Sequence, residues 1–115
     1  MHEASLAGGV LRLVEQAAVR EGFVRVTELR LEVGRLAGVE LRALRFALEA
    51  IAPGTLLAQA RFAFDEPAGQ AWCLPCGRTT PLARRGEPCG HCGGYQLQPT
   101  GGTEFRVTDM LVEDH

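Results

Sequence analysis

Two cysteine pairs constrain this chain more than any other feature. In "CLPCGRTTPLARRGEPCGHCGG", Cys73 and Cys76 stand two residues apart, and Cys89 and Cys92 repeat the spacing after an interval of twelve residues. A CxxC turn presents two sulfurs side by side, and two such turns supply the four corners of the tetrahedron that Zn(II) prefers. Gly77 and Gly93 each follow the second cysteine of a pair, where the lack of a Cβ lets backbone N–H groups approach thiolates. Two disulfides, a redox dithiol or an iron site of the same ligand set are the competing readings. A reducing compartment disfavours the first, and a redox CxxC opens a helix in a βαβ context that this segment lacks. Zinc is the reading that the pattern supports. Four thiolates close the coordination shell, so the zinc is structural and supplies on the order of 10 kcal/mol of folding energy to a module with almost no core of its own.

The rest of the module fits that role. His91, inside the second pair, reads as an exposed knuckle-tip residue rather than a ligand, and Arg78, Arg84 and Arg85 offset the charge of the thiolate cluster. The chain carries a formal charge of −2, which becomes −4 once four thiolates and one divalent ion are counted. With a pI near 5.9 and aromatics at 6%, this argues against nucleic acid and anionic membranes as partners. The most apolar stretch, "SLAGGVLRLVEQ", is too short and too charged to span a bilayer, and no basic segment precedes it as in a signal peptide. A cytoplasmic location is the expectation.

Outside the cysteines the periodicities alternate. Leu6, Val10, Leu13, Val14, Ala17 and Ala18 mark one face of a helix running from Ser5 to near Gly22, weakened in its first turns by Gly8 and Gly9. In "VTELRLEVG", Leu29, Leu31 and Val33 alternate with charged residues, as in a half-buried strand. "GVELRALRFALEAI" returns to helical spacing through Val39, Leu41, Leu44, Leu48 and Ile51, and Pro53-Gly54 ends it. "LAQARFAFD" reads as a second strand. From Glu66 to Thr103 glycine, proline and cysteine replace periodicity, and "EFRVTDMLVED" then gives a last strand, with Phe105 and Val107 on one face and a phase slip before Met110 and Val112. Two strands alone make a marginal sheet. The last one therefore returns to complete the first domain. The expected fold is α+β: two helices on a three-stranded mixed sheet, spanning 1–66 plus 104–115, with a zinc-ribbon-like domain inserted at 67–103.

Catalysis finds little support, because histidines occur only at positions 2, 91 and 115 and there is no P-loop, nucleophile motif or acid–base pair. What remains is the opening Met-His-Glu. N-terminal residues ordinarily fray and carry nothing, and Glu3 has an ordinary reading as an acid at a helix N-terminus. A free amine followed by histidine can also offer that amine, the backbone nitrogen of His2, its imidazole and the backbone nitrogen of Glu3 as four nitrogens in a plane. That geometry suits Ni(II) or Cu(II), and acid would release the metal.

Together, "MHE.SL", "EVGRLAGVELRALRFALEAIAPGTLLAQARF", "CLPCG" and "CGHCGG" resemble the HypA/HybF family of hydrogenase nickel-incorporation proteins, over nearly the whole chain and in the same order. The resemblance implies a non-catalytic metallochaperone. Ni(II) would be a transient cargo held by Met1, His2 and neighbouring N-terminal nitrogens, with Glu3 shaping the site, and structural Zn(II) would sit on Cys73, Cys76, Cys89 and Cys92. It also implies delivery to the large subunit of nickel-iron hydrogenase together with the GTPase HypB, while some members serve urease maturation too. Either a monomer or a homodimer is compatible. Gly90 departs from the pattern, since many members have proline there; this loosens the second knuckle and leaves the ligands in place. The alternatives are a zinc-ribbon interaction or adaptor module with an inert N-terminus and, behind it, a thiol oxidoreductase.

Overall fold

The computed structural model describes residues 2–114, so Met1 and His115 lie outside the described residues. Two helices and six strands follow in the order α1 (His2–Glu21), β1 (Arg25–Val33), α2 (Leu41–Ile51), β2 (Arg61–Asp65), β3 (Gln70–Cys73), β4 (Arg78–Pro81), β5 (Leu97–Gly101) and β6 (Phe105–Glu113). They form an α+β fold with two three-stranded sheets, ordered β2-β1-β6 and β4-β3-β5. By contacts the chain divides into two compact units. The first holds the residues up to Leu31, Val39–Ala63 and the residues from Val107; the second holds Glu32–Gly38 and Phe64–Arg106.

In the first unit, α1 buries Ala7, Val10, Val14 and Ala17 at steps of three and four. Leu13 of the expected apolar face is instead 49% exposed. The helix starts three residues earlier than its apolar spacing suggested, at His2. α2 buries Leu44 and Leu48 and packs against α1. Val26, Leu29 and Leu31 of β1, with Leu57 from the turns before β2, complete this core, each with no exposed surface. Burying a leucine of this kind contributes about 1.5–3 kcal/mol. β6 lies antiparallel to β1: Val24 N–H donates to Glu113 C=O, Thr27 Oγ1 to Leu111 C=O and Thr108 Oγ1 to Arg30 C=O, so one strand's numbers rise as the other's fall. The half-buried positions of β6 are Phe105, Val107 and Met110. The alternation therefore slips at Thr108-Asp109, where the Asp109 carboxylate accepts the Met110 N–H.

The second unit holds more regular structure than the sequence suggested. β3 pairs antiparallel with both β4 and β5, with an irregularity between Gln70 and Ala71 on the β5 side. These strands are four or five residues long, too short for alternation to register. It also has an apolar core: Leu36, Ala71 and Leu82 are buried together, with Leu97 packed on them. Leu36 comes from the 32–38 segment, which lies outside the expected boundary at 67. Three backbone bonds hold that segment: Gly34 N–H to Glu104 C=O at 2.7 Å, Arg35 N–H to Pro67 C=O at 3.0 Å, and Leu36 N–H to Gly102 C=O at 2.7 Å. A Cβ on Gly34 would stand 2.0 Å from the Gly102 oxygen, so only glycine permits this approach.

Candidate metal centres

The first candidate centre is built by two turns of the same construction. Cys73 ends β3, and Gly77 N–H closes its turn on Cys73 C=O at 2.8 Å; Gly93 N–H closes the second on Cys89 C=O at 2.9 Å. Gly77 and Gly93 have φ of 65° and 72°, a left-handed conformation costly for any residue with a Cβ. Their task is thus to close the turns. The N–H groups that reach sulfur belong to other residues, His91 to Cys89 Sγ and Gly94 to Cys92 Sγ, each at 3.4 Å. Cys89 N–H to Gly94 C=O and Leu74 N–H to Gln96 C=O hold the chain around them.

The four cysteines are unbridged, and their sulfurs lie within 4.8 Å of one another. Cys73 Sγ is 3.7 Å from Cys92 Sγ, and Cys76 Sγ is 3.8 Å from Cys89 Sγ. A tetrahedron with Zn–S near 2.3 Å has edges of about 3.8 Å, so the donor set fits that ion. Electrostatics points the same way. Hydrogen bonding to the Cys92 sulfur, burial and the other two thiols push Cys76 up to about 12. The Cys92 and His91 N–H groups pull Cys89 down to about 6. The Cys76 N–H favours a Cys73 thiolate, but burial and the Cys92 and Cys89 thiols outweigh it and raise that group as well. Four thiolates this close require a cation among them.

Around the cluster the arginines have particular duties. Arg84 lies 3.9 Å from Glu87, and Arg85 Nε donates to Leu36 C=O at 3.0 Å, clamping the 32–38 segment. Arg78 and His91 are exposed, and among the described residues the group able to hold a metal comprises the four cysteines without His91.

The second candidate centre is the chain's start. Met1 is outside the described residues; His2 is exposed and opens α1, and Glu3 is half-buried in its first turn. The Glu3 carboxylate accepts the Glu40 N–H at 3.1 Å, and that bond, with its own backbone and the nearby His2, holds its carboxyl below the usual carboxylate range. Glu40 in turn is the N-cap of α2, its carboxylate accepting the Arg42 and Ala43 N–H groups at 3.0 and 3.3 Å. Sequence reasoning passed over Glu40. Its signal was faint, since glutamate is not among the favoured N-cap residues and the helical spacing read from Val39 placed it inside the helix, which in the structure starts at Leu41.

A family profile described as hydrogenase/urease nickel incorporation, metallochaperone, hypA matches residues 1–112. The chain belongs to the HypA family. The hydrogenase maturation factor HypA of Polaromonas naphthalenivorans (strain CJ2) is 75% identical over 114 residues, covering 99% of each chain. The factor of the same name from Cupriavidus necator H16 is 68% identical over 115 residues, covering all of this chain and 97% of that one. The solution structure of the Ni metallochaperone HypA from Helicobacter pylori superposes with a TM-score of 0.69 over 98% of both chains at 17% identity, a likeness of fold. As a HypA-family member the chain is a nickel-incorporation metallochaperone, a maturation factor, and the adaptor reading gives way. Among the described residues no helix is long and apolar enough to cross a membrane.

Proposed function

We propose that the protein carries Ni(II) at its N-terminus, on the Met1 amine, the His2 and Glu3 backbone nitrogens and the His2 imidazole, and releases it during maturation of nickel-iron hydrogenase. The observation that carries this reading is that α1 begins at His2. Amides in a helix's first turn have no intrahelical carbonyl to serve, so deprotonating them for a metal breaks no helix bond. Two deprotonated amides also cancel the ion's charge, which removes the conflict with the positive helix end. Glu3 shapes the site by tying this turn to Glu40. Zn(II) on Cys73, Cys76, Cys89 and Cys92 is structural, held in a closed shell, whereas the nickel can leave without unfolding anything.

In this reading the first unit is the nickel domain and the second the zinc domain. The protein is non-catalytic and works in the cytoplasm with the GTPase HypB and the hydrogenase large subunit, and urease maturation proteins are a second possible clientele. The test is a nickel titration followed by visible absorption, comparing the native terminus with a version carrying one extra residue before Met1, and with His2→Ala. A square-planar band at one equivalent in the native protein alone is expected. Equal binding in all three would move the nickel to other ligands.

A further inference from the structure

The four cysteines of the second unit are alike in chemistry and unlike in placement. A zinc-bound cysteine is a thiolate at neutral pH, so ionisation does not set one sulfur apart from another; access and freedom to move do. Cys73 and Cys89 are buried and Cys76 is half-buried, whereas Cys92 is exposed. Cys73 ends β3 and pairs with Arg78 of β4 and Leu97 of β5, so moving it would pull on the whole sheet. Cys76 belongs to the short turn joining β3 to β4, which Gly77 N–H closes on Cys73 C=O. Cys89 is fixed through both backbone groups, its N–H donating to Gly94 C=O and its C=O accepting the Gly93 N–H. Cys92 lies outside every strand, among Gly90, His91 and Gly93, all exposed. Gly94 stands beside its sulfur: the Gly94 N–H donates to Cys92 Sγ at 3.4 Å, and a Cβ there would sit 3.3 Å from that sulfur and 3.5 Å from Pro75 Cγ. Without a side chain at Gly94, this approach to the sulfur stays open.

We propose that Cys92 is a modification site, the sulfur at which soft carbon electrophiles attack the zinc centre, with Gly94 leaving its approach open. The inference rests on the reading of the four cysteines as a zinc site. In the step itself the Cys92 thiolate gives an electron pair to the electrophilic carbon, a sulfur–carbon bond forms, and the carbon's bond to its leaving group breaks with that pair departing on the leaving group. The product is a neutral thioether, a poor ligand where an anionic sulfur stood. Three thiolates remain, the shell is no longer closed, and a chelator can take the ion. Attack at Cys73 or Cys89 would first require the sheet or the second turn to open, so those sulfurs follow rather than lead.

Timed labelling of the full-length, zinc-loaded protein with iodoacetamide tests this, with iodide as the leaving group. Peptide mass spectrometry locates the first label, and a chromophoric chelator follows zinc release. Cys92 is expected to take the label about tenfold faster than any other cysteine, with one zinc released for each Cys92 labelled. Gly94 is not among the left-handed glycines, so alanine fits its backbone. Gly94→Ala should slow the Cys92 label several-fold, because its methyl group crowds the sulfur. First labelling at Cys73, Cys76 or Cys89, even labelling of all four, or no labelling until the chelator has removed the zinc would each overturn the proposal. A Gly94→Ala protein that holds zinc and labels as fast as wild type would overturn the part assigned to Gly94, and the order of labelling in wild type tests the rest without it. Zinc content measured before labelling separates this inference from the reading beneath it. A protein without bound zinc defeats both, whereas one with a full equivalent and the wrong order of labelling defeats this inference alone.

Discussion

Glu3 shows how much one side chain at the start of a chain can join. Its carboxylate takes the Glu40 N–H, and Glu40 caps α2, so the turn that opens with His2 is tied to the start of a second helix. Without the carboxylate, the Glu40 N–H would be left to water and the turn would lose its tether. Glu3→Ala is therefore expected to speed hydrogen exchange at the Glu40 amide and to weaken nickel binding while leaving the zinc content unchanged. An unaltered Glu40 amide would show that the tether does not form in solution. Met-His-Glu raised the nickel reading from the sequence alone, but the tether could not be read there, because it joins residues 37 positions apart.

At the scale of elements, periodicity revealed the long amphipathic pieces and missed the short ones. Leu29, Leu31 and Val33 alternate over enough residues to declare β1, and Leu44 and Leu48 declare α2. β3, β4 and β5 owe their pairing to the turns around the cysteines, so their own residues carry little pattern. Leu36 lies in "GRLAG", which reads as a loop, yet it is 2% exposed in the second unit's core. Leu36→Ala should cost about 2–5 kcal/mol. Urea unfolding followed at Trp72 in β3 would register the loss. On β1, Glu28 accepts a hydrogen bond from Arg61, which holds its carboxyl below the usual range, with Arg30 adding to the attraction. A depressed carboxyl stabilises the fold above its unfolded pKa, and that contribution fades as pH falls through the folded value. Thermal melts between neutral pH and pH 3 should therefore converge for wild type and Glu28→Gln at the acid end, with wild type ahead at neutral pH. A constant difference across the range would remove the ion pair from the account.

For the whole molecule the two candidate centres differ in kind, and acid should separate them. The proposed nickel ligands are an amine, two amide nitrogens and an imidazole on an exposed first turn, and each must lose its proton, or lack one, to hold the ion. The cysteines are protected by burial at Cys73 and Cys89, by N–H donors from His91 and Gly94, and by two closed turns. A tetrathiolate shell around a divalent ion resists protonation until several bonds fail together, whereas protonating one imidazole or amide opens the planar site. Acidifying the protein loaded with both ions should thus release nickel first, leaving a window in which zinc is retained and the second unit stays folded. Nickel would be followed by its visible band, zinc by a chromophoric chelator and the fold by circular dichroism. Below that window, loss of zinc should melt β3–β5, because the unit's core is little more than Leu36, Ala71, Leu82 and Leu97. The reverse order, zinc before nickel, would mean that the ion meant to travel is held more firmly than the one meant to stay. A carrier built that way could not give up its cargo without first losing half of its own structure.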